Sequence, residues 1–325
     1  MSWNYNFTMG IPSDFDDSDL IFTRQLGLKY AYSSIPPDKK EHEYQAVKRR
    51  VDRAAEHGVT FSSLHSSLYI KPPDVFLGKP GRDDTIKGMI EYFHVIAELG
   101  FKRFTMTWEP DQVWSSHFDA DVRGCKARFV DLNELVKHPF THGREYELEE
   151  VWDAFAYFMD KIMPVCEKTG VSITLHPNDP PTYSKLGGCP CLIKCLDDYK
   201  RAFGIAGSKH LRMEFCCGCW LEGQSEGMGD ILEDMDWCLT NDRIGVVHFR
   251  NIDQPLPVFT EMFPDMGYFD MYKLMRLLCK HDYQGVITLD HTPTMVDGPA
   301  RRVPMAYSIG YMRALAERAI AELNA

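Results

Sequence analysis

The sequence predicts an α/β chain in which eight parallel strands and their connecting helices close into a single barrel. Three observations predict it. Short β-rich runs alternate with longer helical ones from one end of the chain to the other. Several of the β-rich runs are apolar on both faces, as in Ile244-Gly-Val-Val-His-Phe249, the mark of a parallel sheet covered by helices. The 325 residues contain no linker, repeat or low-complexity tract, and a barrel of this kind runs as one unit well beyond the usual domain length.

The candidate strands are Asn4–Met9, Lys29–Ser33, Thr60–His65, Arg103–Trp108, Ser172–His176, Leu211–Cys216, Gly245–Arg250 and Gly285–Asp290, most of them rich in Val, Ile, Thr, Phe or Tyr. Helical runs lie between them, among them His42–His57, Asp84–Leu99, Glu149–Thr169, Cys191–Phe203, Asp230–Leu239, Phe269–His281 and Pro304–Leu323. In Asp270-Met-Tyr-Lys-Leu-Met-Arg-Leu-Leu278 the apolar residues recur at helical spacing, and Gly267 lies just ahead. The whole chain, 1–325, therefore reads as one (β/α)8 TIM-barrel domain. Between Glu109 and Glu147, after the fourth strand, there is no clear strand and at most short helix. This stretch 109–147 is expected to be a long βα loop near the active site, since long loops in compact enzymes build or cover sites. Its aromatic residues also suit the alternative, a subunit contact in a homo-oligomer.

Composition narrows the function. The charged residues are 36 basic and 47 acidic, a net charge of −11, and such a surface repels phosphate backbones, so no nucleic-acid partner is expected. No apolar run approaches about 18 residues, so no membrane span is expected. The start, Met1-Ser-Trp-Asn-Tyr-Asn6, has neither a basic nor an apolar leader character. Ten cysteines in a chain long enough to build its own core, five of them clustered in Cys189-x-Cys191 and Cys216-Cys217-x-Cys219, suit thiols or ligands rather than bridges, and so a reducing, cytoplasmic setting.

In this fold, chemistry occurs at the carboxyl ends of the strands. The last four strands end in Leu175-His176-Pro177, Phe215-Cys216-Cys217, Val247-His248-Phe249 and Leu289-Asp290-His291. His176, Cys216, His248 and Asp290 are all metal-ligand types, and imidazole, thiolate and carboxylate together suit Mn, Co, Fe or Zn. Period-two alternation places Glu214 on the same face as Cys216, one layer deeper, where it either pairs with a base or is itself a ligand. His291 beside Asp290 is a candidate general acid or base. Arg250 and Asn251, following His248, could hold a substrate carboxylate or hydroxyls, Arg250 having a rim salt bridge as its alternative. His65, ending the third strand, is a further candidate for either a substrate contact or a polar core role.

At these motifs the sequence resembles the mannonate dehydratase family of sugar isomerase/epimerase-like barrels. The resemblance rests on His176-Pro-Asn-Asp-Pro-Pro181, Gly188-Cys-Pro-Cys-Leu-Ile193, Phe215-Cys-Cys-Gly218, Val247-His-Phe-Arg-Asn251, Gly267-Tyr-Phe-Asp-Met-Tyr272 and Asp290-His-Thr-Pro293, and on the aromatic-acidic Trp108-Glu-Pro-Asp-Gln-Val-Trp114. It extends from roughly residue 25 to the C-terminus. It implies a lyase that removes water from D-mannonate to give 2-keto-3-deoxy-D-gluconate, usually with Mn²⁺. By the match the ligands are His176, Cys216, His248 and Asp290, and His291 sits where the family has a catalytic histidine. Arg250 is the further catalytic candidate, and Trp108, Asn178, Asn251 and His65 are the candidates for binding the sugar acid. The chain departs from the family at four places. Asn178 replaces a carboxylate, Cys191 replaces an arginine, and Glu214 occupies an ordinarily uncharged position. The stretch Met295-Val-Asp-Gly-Pro-Ala-Arg-Arg302 is short and lacks the tyrosine that the family links to catalysis. These departures keep two alternatives open: a metal-dependent sugar isomerase or epimerase, and a barrel that binds a sugar acid without turning it over.

Overall fold

The computed structural model describes residues 5–296 and 302–325. In chain order the strands are β1 (Asn6–Gly10), β2 (Tyr30–Ile35), β3 (Thr60–Ser66), β4 (Arg103–Thr107), β5 (His117–Val122), β6 (Cys125–Asp131), β7 (Ser172–His176), β8 (Leu211–Cys216), β9 (Ile244–His248), β10 (Asn251–Ile252), β11 (Val258–Met262) and β12 (Val286–Thr288). The helices are α1 (Asp17–Gln25), α2 (Tyr44–Glu56), α3 (Pro73–Phe76), α4 (Arg82–Glu98), α5 (Leu132–Leu135), α6 (Leu148–Thr169), α7 (Leu196–Ala206), α8 (Cys217–Glu222), α9 (Ile231–Thr240), α10 (Met271–Lys280) and α11 (Arg302–Asn324).

Eight strands form one parallel sheet in the order β3-β2-β1-β12-β9-β8-β7-β4. Its two end strands, β3 and β4, lie against each other, so the sheet is a nearly closed barrel, as the alternation in the sequence requires. Each of the eight expected strands overlaps one of these; Asn4, the expected start of the first, lies outside the described residues. The interior of the barrel is polar. Thr105 and Thr174 hydroxyls meet at 2.9 Å, and His65, Arg103, Glu214 and His248 border a small void of about 20 Å³.

The 22-residue helix α6 shows how sequence sets the outer layer. Glu147 and Glu150 form a reciprocal cap at the start of α6. Val151, Trp152, Phe155, Phe158, Met159, Ile162 and Cys166 then fall on one buried face at three- and four-residue steps. Gly170, at φ 75°, ends it in the left-handed conformation. Burial of each large side chain on that face contributes roughly 1.5–3 kcal/mol. By contrast, Leu20 is the only apolar residue among those α1 buries, so patterning does not single that helix out. The helix expected from Cys191 begins only at Leu196; ahead of it the Ile193 amide donates to the Asn178 side chain at 2.9 Å.

The stretch 109–147 differs from expectation. It is not plain loop: β5 and β6 form an antiparallel hairpin, and β6 pairs with β11, which pairs with β10. This four-stranded sheet joins the connection after β4 to the one after β9, at the carboxyl end of the barrel. Its outer strand β5 is mostly exposed and has no two-sided apolar pattern, which is why its sequence reads as loop.

Candidate metal centre and active site

His176, Cys216 and His248 are the last residues of β7, β8 and β9, and Asp290 follows β12 by two residues. The barrel brings one donor atom of each to within 4.8 Å of the others. The His248 Nδ1 lies 3.3 Å from an Asp290 carboxylate oxygen, and the Cys216 Sγ lies 3.8 Å from the same oxygen. These are the separations expected between donors that each sit about 2.0–2.3 Å from one ion.

The surroundings prepare the donors. His176 donates through Nδ1 to the Pro177 carbonyl at 2.6 Å, which leaves Nε2 as the liganding nitrogen. His248 is held through Nε2 by Glu214 at 2.7 Å. Its Nδ1 is buried without a hydrogen-bond partner, turned toward the other donors. Orientation of a ligating imidazole by a carboxylate is the usual companion of a metal site. Glu214 thus pairs with a base, one of the two roles open to it from sequence. Burial opposes the charge on Cys216, but the Cys219 contact, the Arg250 cation and both histidines hold its thiol well below the ordinary range. A thiolate is the form that binds metal. Likewise burial opposes the charge on Asp290, yet His248, His291 and Arg250 hold its carboxyl well below the usual carboxylate range. Two buried anionic donors and two imidazoles fit a divalent transition metal.

Strand alternation would send Asp290 and His291 to opposite faces. Asp290 instead has φ 70°, a left-handed conformation that costs about 1–2 kcal/mol for a residue with a Cβ. The turn lets both side chains line one cavity of about 330 Å³. His291 Nδ1 lies 3.0 Å from Glu261, and its Nε2 is 3.5 Å from Asp290. Burial works against the imidazolium, but Asp290 and Glu261 outweigh it and raise the His291 pKa. His65 also lines the cavity, stacked on Tyr32 at 5.2 Å between centroids.

Four residues expected to meet substrate are placed elsewhere. Trp108 is core, 4.2 Å from the Phe76 ring and 4.9 Å from that of Phe155. Asn178 spans from the Trp108 carbonyl to the Ile193 amide and so pins loops together. Asn251 is fully buried; its side chain donates to the Phe269 carbonyl and accepts from the Ile252 amide. Gly267 is needed beside it, because a Cβ there would lie 2.0 Å from Asn251 Cγ. Arg250, expected at the substrate, is 0% exposed. It donates to Glu261 at 2.6 Å, Glu222 at 2.7 Å, Asp179 at 3.0 Å and the Cys216 sulfur at 3.5 Å. Its guanidinium lies behind the candidate ligands and, among the described residues, touches none of the cavity lining except through them and Asp179, Glu261 and His291. Arg250 ends a β-rich run, which is legible in the sequence, but its carboxylate partners come from three other segments and no spacing in the sequence joins them.

Other residues of the site carry no motif of their own. Arg128 on β6 bridges Asp179 at 2.7 Å and Glu261 at 2.9 Å, so the mouth hairpin and the barrel share one buried ion network. On another part of the cavity wall Lys71 is ion-paired with Glu109. Burial pushes the Glu109 carboxyl up to about 7 against the pull of Lys71. Cys191 is a buried thiol pushed up to about 12 by desolvation. Residues 297–301 of the short stretch lacking tyrosine lie outside the described residues.

Comparison with known proteins agrees with this geometry. The model of the family described as "D-mannonate dehydratase (UxuA)" matches residues 117–323. A mannonate dehydratase of Streptococcus agalactiae is 31% identical over 277 residues, covering 76% of each chain. That of Oceanobacillus iheyensis is 26% identical over 315 residues, covering 85% of this chain and 86% of the other. The crystal structure of mannonate dehydratase from Streptococcus suis superposes with a TM-score of 0.87 over 98% of this chain and 96% of that one, at 19% identity, a likeness of fold. The matched segment takes in all four strand-end donors, and the chain belongs to the D-mannonate dehydratase family.

Proposed function

We propose that this protein dehydrates D-mannonate to 2-keto-3-deoxy-D-gluconate, with a divalent metal, Mn²⁺ first among the candidates, held by His176, Cys216, His248 and Asp290. The observation that carries this reading is the convergence of those four donors, three of which line one cavity with His291, in a chain of this family. When bound, such a metal polarises the acid's carboxylate and neighbouring hydroxyl and makes the C2 proton more acidic. The protein's own groups do the rest. Glu261 fixes the His291 ring through Nδ1, leaving Nε2 to take the C2 proton as general base. Arg250 and Arg128 hold the carboxylates behind the site so that the donors keep their aim. The requirement for a Cys216 thiolate, together with ten cysteines that are all free, favours a reducing, cytoplasmic setting. No helix is long and apolar enough to cross a membrane among the described residues. Family membership favours the dehydratase over the isomerase and over a non-catalytic barrel.

The direct test is turnover of D-mannonate by Mn²⁺-loaded protein, read as the 2-keto-3-deoxy acid formed. Formation at an enzyme-like rate is expected. Metal-replete protein that releases no product but exchanges substrate hydrogen with solvent deuterium would replace this reading with the isomerase. His291→Asn is expected to keep its metal and to lose about 10²–10⁴-fold in kcat, the usual contribution of a general base. An unchanged rate would remove His291 from the chemistry.

A further inference from the structure

The departing hydroxyl needs a proton, and the stretch 295–302, which contains no tyrosine, offers no phenol to supply it. We propose that Glu109 is the catalytic acid that protonates the C3 hydroxyl as it leaves, with Lys71 as its positioning partner. The inference rests on the dehydratase reading above.

The geometry supports it. Glu109 ends β4 by two residues, at the catalytic end of the barrel. Its side chain is 4% exposed, and Lys71, from the connection after β3, is 14% exposed. Both line the same cavity as His176, His248, Asp290 and His291. Lys71 also donates to the Asp111 carbonyl at 3.2 Å, which fixes the pair to the start of the mouth segment. A substrate held at the metal donors therefore has His291 and the Lys71–Glu109 pair as separate acid–base elements in one cavity. The charged and titratable groups facing Glu109 are Lys71, Asp179, His176 and the Cys191 thiol. Cys191 adds no charge here, and Lys71 is the cation paired with Glu109. A carboxyl buried enough to hold its proton near neutral pH has the form the step needs.

The step balances. His291 takes the C2 proton, and the electron pair left at C2 forms the C2–C3 double bond. The C3–O bond breaks, and the leaving oxygen takes the Glu109 proton and departs as water. The enol tautomerises to the 2-keto acid, His291 loses its proton, and Glu109 is reprotonated from solvent.

The test uses full-length, metal-loaded protein with D-mannonate in deuterated water. Glu109→Gln is expected to bind metal as the wild type does, to lose about 10²–10⁴-fold in product formation, and still to exchange deuterium into C2 of recovered mannonate. Loss of exchange along with turnover would overturn the proposal, as would retention of turnover. Lys71→Met provides a second arm. Removing the cation raises the Glu109 pKa, so the alkaline limb of the kcat profile, where the acid is lost, is expected to move to higher pH. An unmoved limb overturns the proposal even if the Glu109 variant folds poorly. Wild-type protein that neither exchanges nor dehydrates mannonate would instead overturn the function proposed above.

Discussion

Cys216→Ala is expected to lose its metal and, with it, turnover. The thiolate is one of only two anionic donors in the cluster, and the structure has invested several contacts in keeping it ionised: the Cys219 amide at 3.5 Å and the Arg250 guanidinium at 3.5 Å both donate to its sulfur. Even the outer partners of metal ligands are worth roughly 10–100-fold in affinity, so loss of a ligand should exceed that range. The measurement is metal content after dialysis, with the melting temperature recorded with and without chelator. Metal that binds the native state raises that temperature by mass action, so chelation should lower it in the wild type and leave the variant unmoved. Cys217→Ala is the control. Its side chain belongs to the apolar core and its thiol is pushed well up by burial, so that variant should keep its metal. Full metal content in Cys216→Ala would mean the ligand set is wrong, and the unpaired Glu214 Oε2 would be the next donor to examine.

The four strand-end donors are legible in sequence because the fold does the gathering. Once the alternation of strands and helices is read, each donor needs only to end its own strand, and no long-range contact has to be guessed. Glu214 is half legible: alternation puts it on the face of Cys216, but the carboxylate's partner, His248, lies on the next strand and is known only once β8 and β9 are seen side by side. The cavity wall is less accessible still. Lys71 and Glu109 are 38 residues apart on different connections; Glu109 stands in the aromatic-acidic segment Trp108–Trp114, but nothing in the sequence joins it to Lys71. The mouth hairpin escapes detection for a different reason. In His117-Phe-Asp-Ala-Asp-Val122 the outer strand is mostly solvated, so burial has imposed no pattern on it, and β11, the strand that pairs with the hairpin's inner strand β6, lies over a hundred residues further along the chain. Trp108 and Asn178 show the limit of motif reasoning: both stand in segments that resemble the family's site, yet one fills the core and the other ties loops together.

Arg250→Met is expected to be the most destabilising single change at this site that leaves every metal donor in place. Methionine keeps much of the volume but none of the charge, so Asp179 and Glu222 would be left with Arg128, and Glu261 with Arg128 and His291. Removing one partner from a buried ion network typically costs about 3–5 kcal/mol, because the remaining charges stay out of water. With an unfolding entropy of about 2.1 cal/mol/K per residue, a chain of this length should melt about 4–7 °C lower. Arg250→Lys should recover little of this. One ammonium cannot reproduce a planar fork that reaches Glu261 through one nitrogen and Glu222, Asp179 and Cys216 through another. The packing is equally specific: a Cβ on Gly218 would lie 2.0 Å from Arg250 Nε, so the glycine after the two cysteines is explained by the close approach of this guanidinium. A melting temperature within about 1 °C of wild type for Arg250→Met would mean that the carboxylates release their charge without cost, and the network would then be a consequence of the site rather than its support. If the variant melts lower and also binds metal less tightly, Arg250 acts on both at once: it neutralises the buried carboxylates, and it stabilises the Cys216 thiolate that the metal requires.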